Sequence, residues 1–261
     1  MNNGARPRKV VAIIQARMDS TRLPGKALAD IEGQPLLAHV IGRTKAARTV
    51  DSVVVATTTE PVDKAIELLA LREGVAAYRG QVDDVLDRFY QAAGQISADL
   101  IVRITGDDPF KDPDVIDRII LHALDHPEVD YASNTLEATF PEGLDTEVFS
   151  FRALETAWRE ARLPSEREHV TPYLWKNPGR FRMASIRHSE DLSHLRWTID
   201  YTEDLDFARA VYSRLSPSRI FRMDDILALL AQEPNLLQLC PRVVRNFGYQ
   251  QSLRKDQQVC P

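Results

Sequence analysis

The chain has 261 residues, of which 44% are hydrophobic and 27% charged, so it can bury a full core and is not generally disordered. Its formal net charge of -5 disfavours a nucleic-acid-binding protein, and no apolar run is long enough to span a membrane. Cys240 and Cys260 form no metal-type pair, so we expect a protein of the reducing cytoplasm.

The first predicted element is a buried strand over residues 10–14, which are all apolar and mostly β-branched. The polar loop that follows, residues 15–26, contains Arg17, Arg22 and Lys26. Open α/β sheets bind ligands at the carboxyl ends of their strands, and three cations there suit a polyphosphate. From charge alone, a solvated basic loop is the alternative. The loop matches neither the Walker A pattern nor G-x-G-x-x-G.

Helical and strand patterns alternate along the next part of the chain. Apolar spacing predicts helices over residues 35–48, 61–73, 82–93 and 113–124, and short apolar runs predict strands over 52–58, 75–78 and 99–105. This alternation predicts parallel βαβ crossovers. The expected fold is therefore α/β, with a doubly wound, mostly parallel sheet that carries helices on both faces.

The pattern loosens after about residue 130. We predict strands over residues 131–134, 147–149, 181–186 and 196–199, and helices over 152–162, 202–215 and 223–231. Because no linker separates this part, we expect one domain over residues 8–250, in which residues 130–195 form an inserted smaller lobe. Residues 251–261 are predicted to form a polar tail.

Carboxylates follow two of the predicted strands. Asp107 and Asp108 come after the strand over 99–105, in a glycine turn, and Asp200 comes after the strand over 196–199. An aspartate at such a turn either caps the next helix or binds Mg²⁺, which prefers one or two carboxylates together with substrate phosphates. The pattern alone leaves both roles open.

Six segments, in the same order along the chain, resemble the SpsF-type cytidylyltransferases of spore coat polysaccharide biosynthesis, relatives of the 3-deoxy-manno-octulosonate cytidylyltransferases. They are residues 16–26, with A-R and then S-T-R-L-P-G-K; 79–88, with R-G and then D-D-V-L-D-R; 103–109, R-I-T-G-D-D-P; 143–149, G-L-D-T-E-V-F; 166–173, E-R-E-H-V-T-P-Y; and 196–205, R-W-T-I-D-Y-T-E-D-L. The chain departs from the family at Asp19, where glycine is usual, and at Tyr201-Thr202, where Thr-Pro is usual. The resemblance implies the Rossmann-like fold of nucleotide-diphospho-sugar transferases.

The resemblance also implies a Mg²⁺-dependent enzyme that transfers CMP from CTP to a sugar or sugar-like acceptor and releases pyrophosphate, in polysaccharide or glycoconjugate biosynthesis. The residues it implies for catalysis are Arg17, Arg22, Lys26 and Asp107, and the implied metal ligands are Asp107 and Asp200. Those implied for nucleotide binding are Gln15, Ala16, Arg17, Arg22, Lys26, Arg79, Gly80, Asp84, Arg103 and Thr105. Those implied for acceptor binding are Asn134, Asp145, Glu147, His169 and Arg196.

Several alternatives stay open. A metal-dependent glycosyltransferase of similar fold, a nucleotidyltransferase for another nucleoside triphosphate and a non-catalytic nucleotide sensor share parts of this pattern. The basic loop favours nucleotidyl transfer, because a glycosyltransferase has no free triphosphate to bind. Asp84 and Arg88 are also spaced for an (i, i+4) ion pair on a helix surface, which requires no nucleotide.

Aromatic residues concentrate in and near the predicted lobe. They are Phe140, Phe149, Phe151, Trp158, Tyr173 and Trp175. Such a run suits either a subunit interface or the cover of the sheet's end. The resemblance favours the interface, so we predict a homodimer that binds CTP and a small acceptor, with neither nucleic acid nor a membrane as a partner.

Overall fold

The computed structural model describes residues 8–215, 220–241, 243 and 245–259. Its strands are β1 (Val10–Gln15), β2 (Asp30–Ile31), β3 (Gln34–Pro35), β4 (Ser52–Thr58), β5 (Ala76–Gly80), β6 (Leu100–Thr105), β7 (Tyr131–Ser133), β8 (Glu147–Ser150) and β9 (Met183–Ser185). Its helices are α1 (Leu36–Lys45), α2 (Lys64–Arg72), α3 (Val85–Gln95), α4 (Pro113–Asp125), α5 (Phe151–Glu160), α6 (Pro164–His169), α7 (Pro172–Trp175), α8 (Thr202–Leu215), α9 (Met223–Gln232) and α10 (Phe247–Val259), with short 3₁₀ helices at Lys26–Leu28, Pro61–Asp63 and Pro234–Leu239. None of the described helices is long and apolar enough to cross a membrane. Cys260 lies outside the described residues.

β1 lies within a seven-stranded sheet whose strand order is β5-β4-β1-β6-β8-β7-β9. It pairs in parallel with β4 and β6, β4 pairs in parallel with β5, and β9 pairs in parallel with β7, whereas β8 runs antiparallel to both β6 and β7. Val10, Ala12 and Ile14 pack into one hydrophobic core and Val11 and Ile13 into another, because alternate side chains of a strand point to opposite faces. The predicted doubly wound, mostly parallel sheet is confirmed.

The strand registers bring the ends of β1, β4 and β6 to one edge of the sheet. Gln15 aligns with Ala56 on β4 and with Thr105 on β6. Gly106 then passes so close to β1 that a Cβ atom there would lie 2.7 Å from the carbonyl oxygen of Gln15. Because any side chain would push the strand ends apart, glycine is needed where the β6 turn leaves the sheet.

Residues 130–195, predicted as an inserted lobe, extend the same sheet. β8 joins β6, β7 joins β8, and β9 pairs with β7 at the edge. α5 packs over this extension: Ala153 and Leu154 share a hydrophobic core with Tyr131 and Phe149.

The predicted strand over residues 196–199 is wrong. Arg196 makes a single bridge to Glu142, and the backbone beyond it bonds to turns instead of to a strand of the sheet. One of these hydrogen bonds runs from the N–H of Ile199 to the carbonyl oxygen of Asp107 at 2.9 Å. It ties this segment to the β6 turn even though no strand forms.

The prediction of a polar tail after residue 250 is wrong for residues 251–259, which belong to α10. α10 docks on α6, with Ser252 and Asp256 only 2% and 9% exposed. Asp256 accepts hydrogen bonds from the N–H and hydroxyl of Ser165, at 2.9 and 2.6 Å. The buried face of α10 thus uses polar side chains, which a hydrophobic pattern does not reveal.

The aromatic residues that suggested a subunit interface are largely used inside the chain. Phe140 and Phe149 are buried in the two cores. Trp158 stacks on Tyr90 with ring centroids 4.1 Å apart. Contacts within the chain account for these rings without a subunit interface, and the homodimer, which the resemblance implied, stays a prediction.

Replacing Gly143 tests how tightly the turn before β8 is built. Gly143 has φ of +108°, and a Cβ there would lie 2.7 Å from the carbonyl carbon of Trp197. We expect Gly143→Ala to lower the free energy of unfolding by about 2–3 kcal/mol, because alanine is strained in this conformation. The matched change is Gly94→Ala, at an exposed position of α3 with open space around the glycine. This change should instead raise the free energy of unfolding by about 0.5 kcal/mol. Urea unfolding followed by circular dichroism measures both, and equal stabilities of the two variants would contradict the prediction.

Candidate active site

Lys26 lies between two carboxylates at the edge where β1 and β6 end. Its Nζ donates hydrogen bonds to Asp107 Oδ2 at 2.8 Å, to Asp200 Oδ1 at 2.9 Å and to the carbonyl oxygen of Ile199 at 2.6 Å. Gly25, with φ of +75°, directs the chain into the 3₁₀ helix that begins at Lys26. Burial lowers the pKa of Lys26, but the two carboxylates outweigh it and raise the pKa above its ordinary value. Asp107 and Asp200 therefore converge on one charged ammonium group.

Asp200 is held by three cations. Its Oδ1 accepts from Lys26 and lies 2.5 Å from the guanidinium of Arg22, and its Oδ2 accepts from Arg196 at 2.9 Å. Burial favours the neutral acid, but Lys26, Arg196 and Arg22 together hold the pKa of Asp200 below its ordinary value. The N–H of Asp200 donates to Asp204 Oδ2 at 2.8 Å, which fixes the entry into α8.

Asp107 and Asp108 have different surroundings. Asp108 is buried, accepts a hydrogen bond from the hydroxyl of Thr105 and lies 2.9 Å from the ammonium of Lys111. Burial raises the pKa of Asp108 to about 6. Asp107 is more exposed, and its Oδ1 has no hydrogen-bond partner within the part of the chain that the structure describes. Asp107 is the carboxylate left available for a ligand, and Asp108 is held by the protein.

A cavity of about 400 Å³ lies beside this centre, and both Asp107 and Asp200 line it. The other lining residues that the sequence predicted are Arg22, Arg103, Thr105, Asp145, Glu147, His169 and Arg196. The cavity is lined by strand ends, by the turn after β6 and by the segment before α8. These segments are far apart in the sequence and are brought together by the fold. The arrangement can hold an anionic ligand at the Lys26 end and a second ligand in the cavity.

Glu147 fixes Arg103 in the cavity wall. It forms an ion pair with Arg103 and accepts hydrogen bonds from the hydroxyls of Tyr131 and Thr171 at 2.6 and 2.5 Å. Burial raises the pKa of Glu147, but Arg103 and these hydroxyls bring it below its ordinary value. Arg103 also donates to Oε1 of Gln15 at 3.1 Å. Glu147 thus positions Arg103, and the protein itself occupies both of its oxygens.

His169 lies on the cavity wall against α10. Its Nε2 is 2.9 Å from the hydroxyl of Ser252, and its ring meets that of Tyr249 edge-on at 5.2 Å. Burial, together with the charge of Arg103, lowers the pKa of His169 to about 4. The imidazole is therefore neutral near pH 7.

Arg79 and Gly80, predicted for nucleotide binding, do not line the cavity. Arg79 donates to the carbonyl oxygens of Thr58 and Glu60, each at 2.8 Å, and so ties β5 to the loop after β4. A Cβ at Gly80 would lie 2.8 Å from Cγ of Arg88. Both residues are accounted for by packing at this end of the sheet.

Asp84 and Asn134 also lie outside the cavity wall. Asp84 caps α3 and pairs with Arg167, whose Nε lies 3.1 Å away, instead of forming the alternative ion pair with Arg88. Asn134 is fully buried, and its amide oxygen accepts from the N–H of Thr146 at 2.8 Å. These contacts hold the fold around the cavity.

The other predicted residues of the loop after β1, Ala16, Arg17 and Arg22, differ from one another in their contacts. Arg17 is exposed and makes no hydrogen bond or ion pair within the described residues. The N–H of Ala16 donates to the carbonyl oxygen of Ala56 at 3.2 Å. The guanidinium of Arg22 lies 5.4 Å from the ring centre of Tyr201 and 5.7 Å from that of Phe247.

Sequence reasoning missed several residues of the site. They are Glu142, Trp175, Thr198, Asn246, Phe247, Gly248 and Tyr249 on the cavity wall, with Lys111, Asp204 and Arg245 behind it. Asp204 stood inside the segment that resembles the family's late motif, so that motif contained the signal. No pattern marked residues 246–249, because their contacts exist only in the folded chain.

A family model described as cytidylyltransferase matches residues 11–233. The chain belongs to this family. It is 31% identical over 233 residues to the spore coat polysaccharide biosynthesis protein SpsF of Bacillus subtilis, covering 87% of this chain and 95% of SpsF. It superposes with a TM-score of 0.85 and 33% identity on a cytidylyltransferase from Leptospira borgpetersenii, covering 91% of this chain and 100% of the other.

A more distant structure shares the fold. A CMP-2-keto-3-deoxy-manno-octonic acid synthetase complexed with CTP superposes with a TM-score of 0.61 and 21% identity, covering 79% of this chain and 99% of the synthetase. Family membership makes this cytidylyltransferase an enzyme that transfers CMP from CTP, and it decides among the alternatives above in favour of nucleotidyl transfer. The predicted resemblance to the SpsF-type cytidylyltransferases is confirmed.

The lowered pKa of His169 predicts a loss of stability in acid. In the unfolded chain the imidazole takes up a proton near pH 6.5, whereas in the folded chain it does so only near pH 4. The contribution of His169 to the free energy of unfolding is therefore fully present above pH 6.5 and is lost as the pH drops towards 4. At pH 4.5 the loss is about 2–3 kcal/mol. Urea unfolding at pH 7 and pH 4.5 should show this extra loss in the wild type but not in His169→Gln. Equal losses in the two proteins would contradict it.

Proposed function

We propose that this cytidylyltransferase transfers the CMP of CTP to a hydroxyl group of a sugar or sugar-like acceptor in the cavity, and that it requires Mg²⁺. The observation that carries the proposal is the Lys26 ammonium between Asp107 and Asp200, beside the cavity that both carboxylates line. The names of two relatives support a sugar acceptor: one acts in spore coat polysaccharide biosynthesis and the other is a synthetase of an activated sugar acid.

The basic loop is suited to hold the triphosphate of CTP. Arg17 is exposed without a partner among the described residues, and Arg22 and Lys26 both contact Asp200. A triphosphate carries more negative charge than one carboxylate, so it can compete for these cations. Charge-assisted hydrogen bonds to phosphate are about twice as strong as neutral ones. The three cations would hold the β- and γ-phosphates and stabilise the charge that develops on the leaving pyrophosphate.

Asp107 and Asp200 fit a magnesium ion that also binds substrate oxygens. Mg²⁺ commonly takes one or two carboxylates and completes its shell with phosphates and water. Among the described residues no group of three or more His, Cys, Asp or Glu side chains is arranged to hold a metal alone. The ion, when bound, would supply charge neutralisation at the α-phosphate and lower the pKa of the attacking hydroxyl. Its binding should therefore depend on the nucleotide.

The remaining chemistry is the positioning of two substrates for direct transfer. Arg103, fixed by Glu147, and Arg196, fixed by Glu142 at 2.7 Å, give the cavity a rigid wall. Cys240 is unsuited to act as a nucleophile, because burial raises the pKa of its thiol to about 11. No covalent enzyme intermediate is needed.

Removing the Lys26 ammonium tests the phosphate site. We expect Lys26→Ala to weaken CTP binding by about 1.5–3 kcal/mol, the usual contribution of a hydrogen bond to a charged group. The variant also leaves two carboxylates facing each other, so titration calorimetry should be run at a temperature where circular dichroism shows it folded. The control is Lys45→Ala, which changes an exposed lysine on α1. Unchanged CTP affinity in Lys26→Ala would show that Lys26 serves only the fold.

A thermal-shift screen tests the nucleotide and the metal together. With Mg²⁺ present, CTP should raise the melting temperature more than UTP, ATP or GTP, since a ligand at 100 times its Kd stabilises the folded state by about 2.7 kcal/mol. Mg²⁺ without nucleotide should have little effect, because the protein supplies only two carboxylates.

Asp107→Asn should keep a response to CTP but lose the added effect of Mg²⁺. The control Asp206→Asn, at an exposed position of α8, should respond like the wild type. A magnesium effect that survives in Asp107→Asn would remove Asp107 from the metal site, and a preference for another nucleotide would overturn CTP as the donor.

A further inference from the structure

Two aromatic rings lie beside the guanidinium of Arg22, one of the cations that the proposed function assigns to the triphosphate. The Cζ atom of Arg22 is 5.4 Å from the ring centre of Tyr201 and 5.7 Å from that of Phe247. A cation within about 6 Å of a ring centre is attracted by the negative charge of the ring face. We call Tyr201 and Phe247 the aromatic pair, and both rings contribute to holding Arg22 in the cavity wall.

The family pattern specifies neither ring of the aromatic pair. Tyr201 is a position where this chain departs from the family, in which threonine is usual. Phe247 lies beyond residue 233, where the match to the family model ends. The surroundings of Arg22 are therefore a feature of this chain and do not follow from its family membership.

Tyr201 is fixed at the entry into α8. Its N–H donates to Asp204 Oδ2 at 2.9 Å, and the N–H of Asp200 donates to the same oxygen at 2.8 Å. The carboxylate that pairs with Arg22 and the first ring of the aromatic pair thus share one anchor. They present a charge and a ring to the same guanidinium.

Phe247 is fixed by contacts on both sides of it in the sequence. Before it, Arg245 pairs with Asp145 on the cavity wall. Further along α10, the hydroxyl of Ser252 lies 2.9 Å from Nε2 of His169. Because the chain is anchored on either side, the ring of Phe247 is kept beside the loop that follows β1.

The ionic partner of Arg22 is what has to change when the proposed triphosphate binds. In the free protein the guanidinium lies 2.5 Å from Asp200 Oδ1, a carboxylate that the proposed function gives to the metal. A long side chain that loses its partner takes up many rotamers, and ordering it again on a ligand costs free energy. A ring can limit this freedom without occupying the donors, because a guanidinium that stacks through its flat face keeps its N–H groups available.

We propose that Tyr201 and Phe247 are positioning residues for Arg22. Their rings hold the guanidinium at the phosphate site while its anionic partner changes from Asp200 to the triphosphate. They thereby lower the cost of ordering Arg22 when CTP binds. This inference rests on the proposed function, in which Arg22 binds the β- and γ-phosphates.

Leucine substitutions test the aromatic pair, because leucine keeps much of the apolar volume but has no ring. Tyr201→Leu and Phe247→Leu should each weaken CTP binding by about two- to tenfold, the usual cost of ordering one long side chain. Tyr201→Phe and Phe247→Trp keep a ring and should bind CTP like the wild type. The matched control is Phe151→Leu, which changes a partly buried ring on α5 that stacks on Tyr90. Titration calorimetry on the full chain, with Mg²⁺ present, measures all five variants.

CMP separates positioning of Arg22 from a general disturbance of the site, because CMP lacks the β- and γ-phosphates. The leucine variants should bind CMP as tightly as the wild type does. Equal weakening of CTP and CMP binding would overturn the inference. Wild-type CTP affinity in both leucine variants, or ring-keeping variants as weak as the leucine variants, would do the same.

Combination with Arg22→Ala tests whether the aromatic pair acts through Arg22. Once the guanidinium is absent, Phe247→Leu should cause no further loss of CTP affinity, and a loss as large as in the wild-type background would contradict the proposal. Because Phe247 is 37% exposed, this variant keeps the test decisive even if Tyr201→Leu does not fold.

The same titrations distinguish this inference from the proposed function. A wild-type enzyme that binds CTP no more tightly than CMP would refute the phosphate site of the proposed function. Tighter binding of CTP that survives both leucine substitutions would refute only the role of the aromatic pair.

Discussion

The structure of the site depends on one interaction, the Lys26 ammonium held between Asp107 and Asp200. Two partly buried carboxylates this close would repel each other, and the positive charge between them makes the arrangement stable. In the proposed function, a triphosphate and a divalent cation would rearrange these same three groups. The proposal therefore makes the stability of the free enzyme and the binding of substrate depend on the same charges.

The sheet brings these groups together by simple geometry. β1 and β6 are adjacent and parallel, so the loop that carries Lys26 and the turn that carries Asp107 leave the same edge. Asp200 reaches them differently, on a segment bonded to the β6 turn and fixed by the contact of its N–H with Asp204. The convergence could be predicted from the motifs, but the predicted strand before Asp200 does not form.

Most elements up to α4 could be predicted from the sequence. Short apolar runs mark strands that are buried on both faces of the sheet, and apolar residues at helical spacing mark the helices that cover those faces. The sequence did not predict which polar residues the fold itself would use. Arg79, Asp84 and Asn134 have backbone or side-chain partners that only the folded chain supplies, and their roles in ligand binding stay predictions. For the same reason α10 was missed: it docks through Ser252 and Asp256, and such contacts leave no hydrophobic signature.

In the proposed function, Lys26 leaves its carboxylates to bind the triphosphate. A crystal structure of the enzyme with CTP and Mg²⁺ would reveal this movement. We expect Nζ of Lys26 within hydrogen-bond distance of a phosphate oxygen, with the metal bound by Asp107 and Asp200 and by the nucleotide. A complex in which Lys26 still bridges both carboxylates, with the triphosphate bound elsewhere, would contradict it.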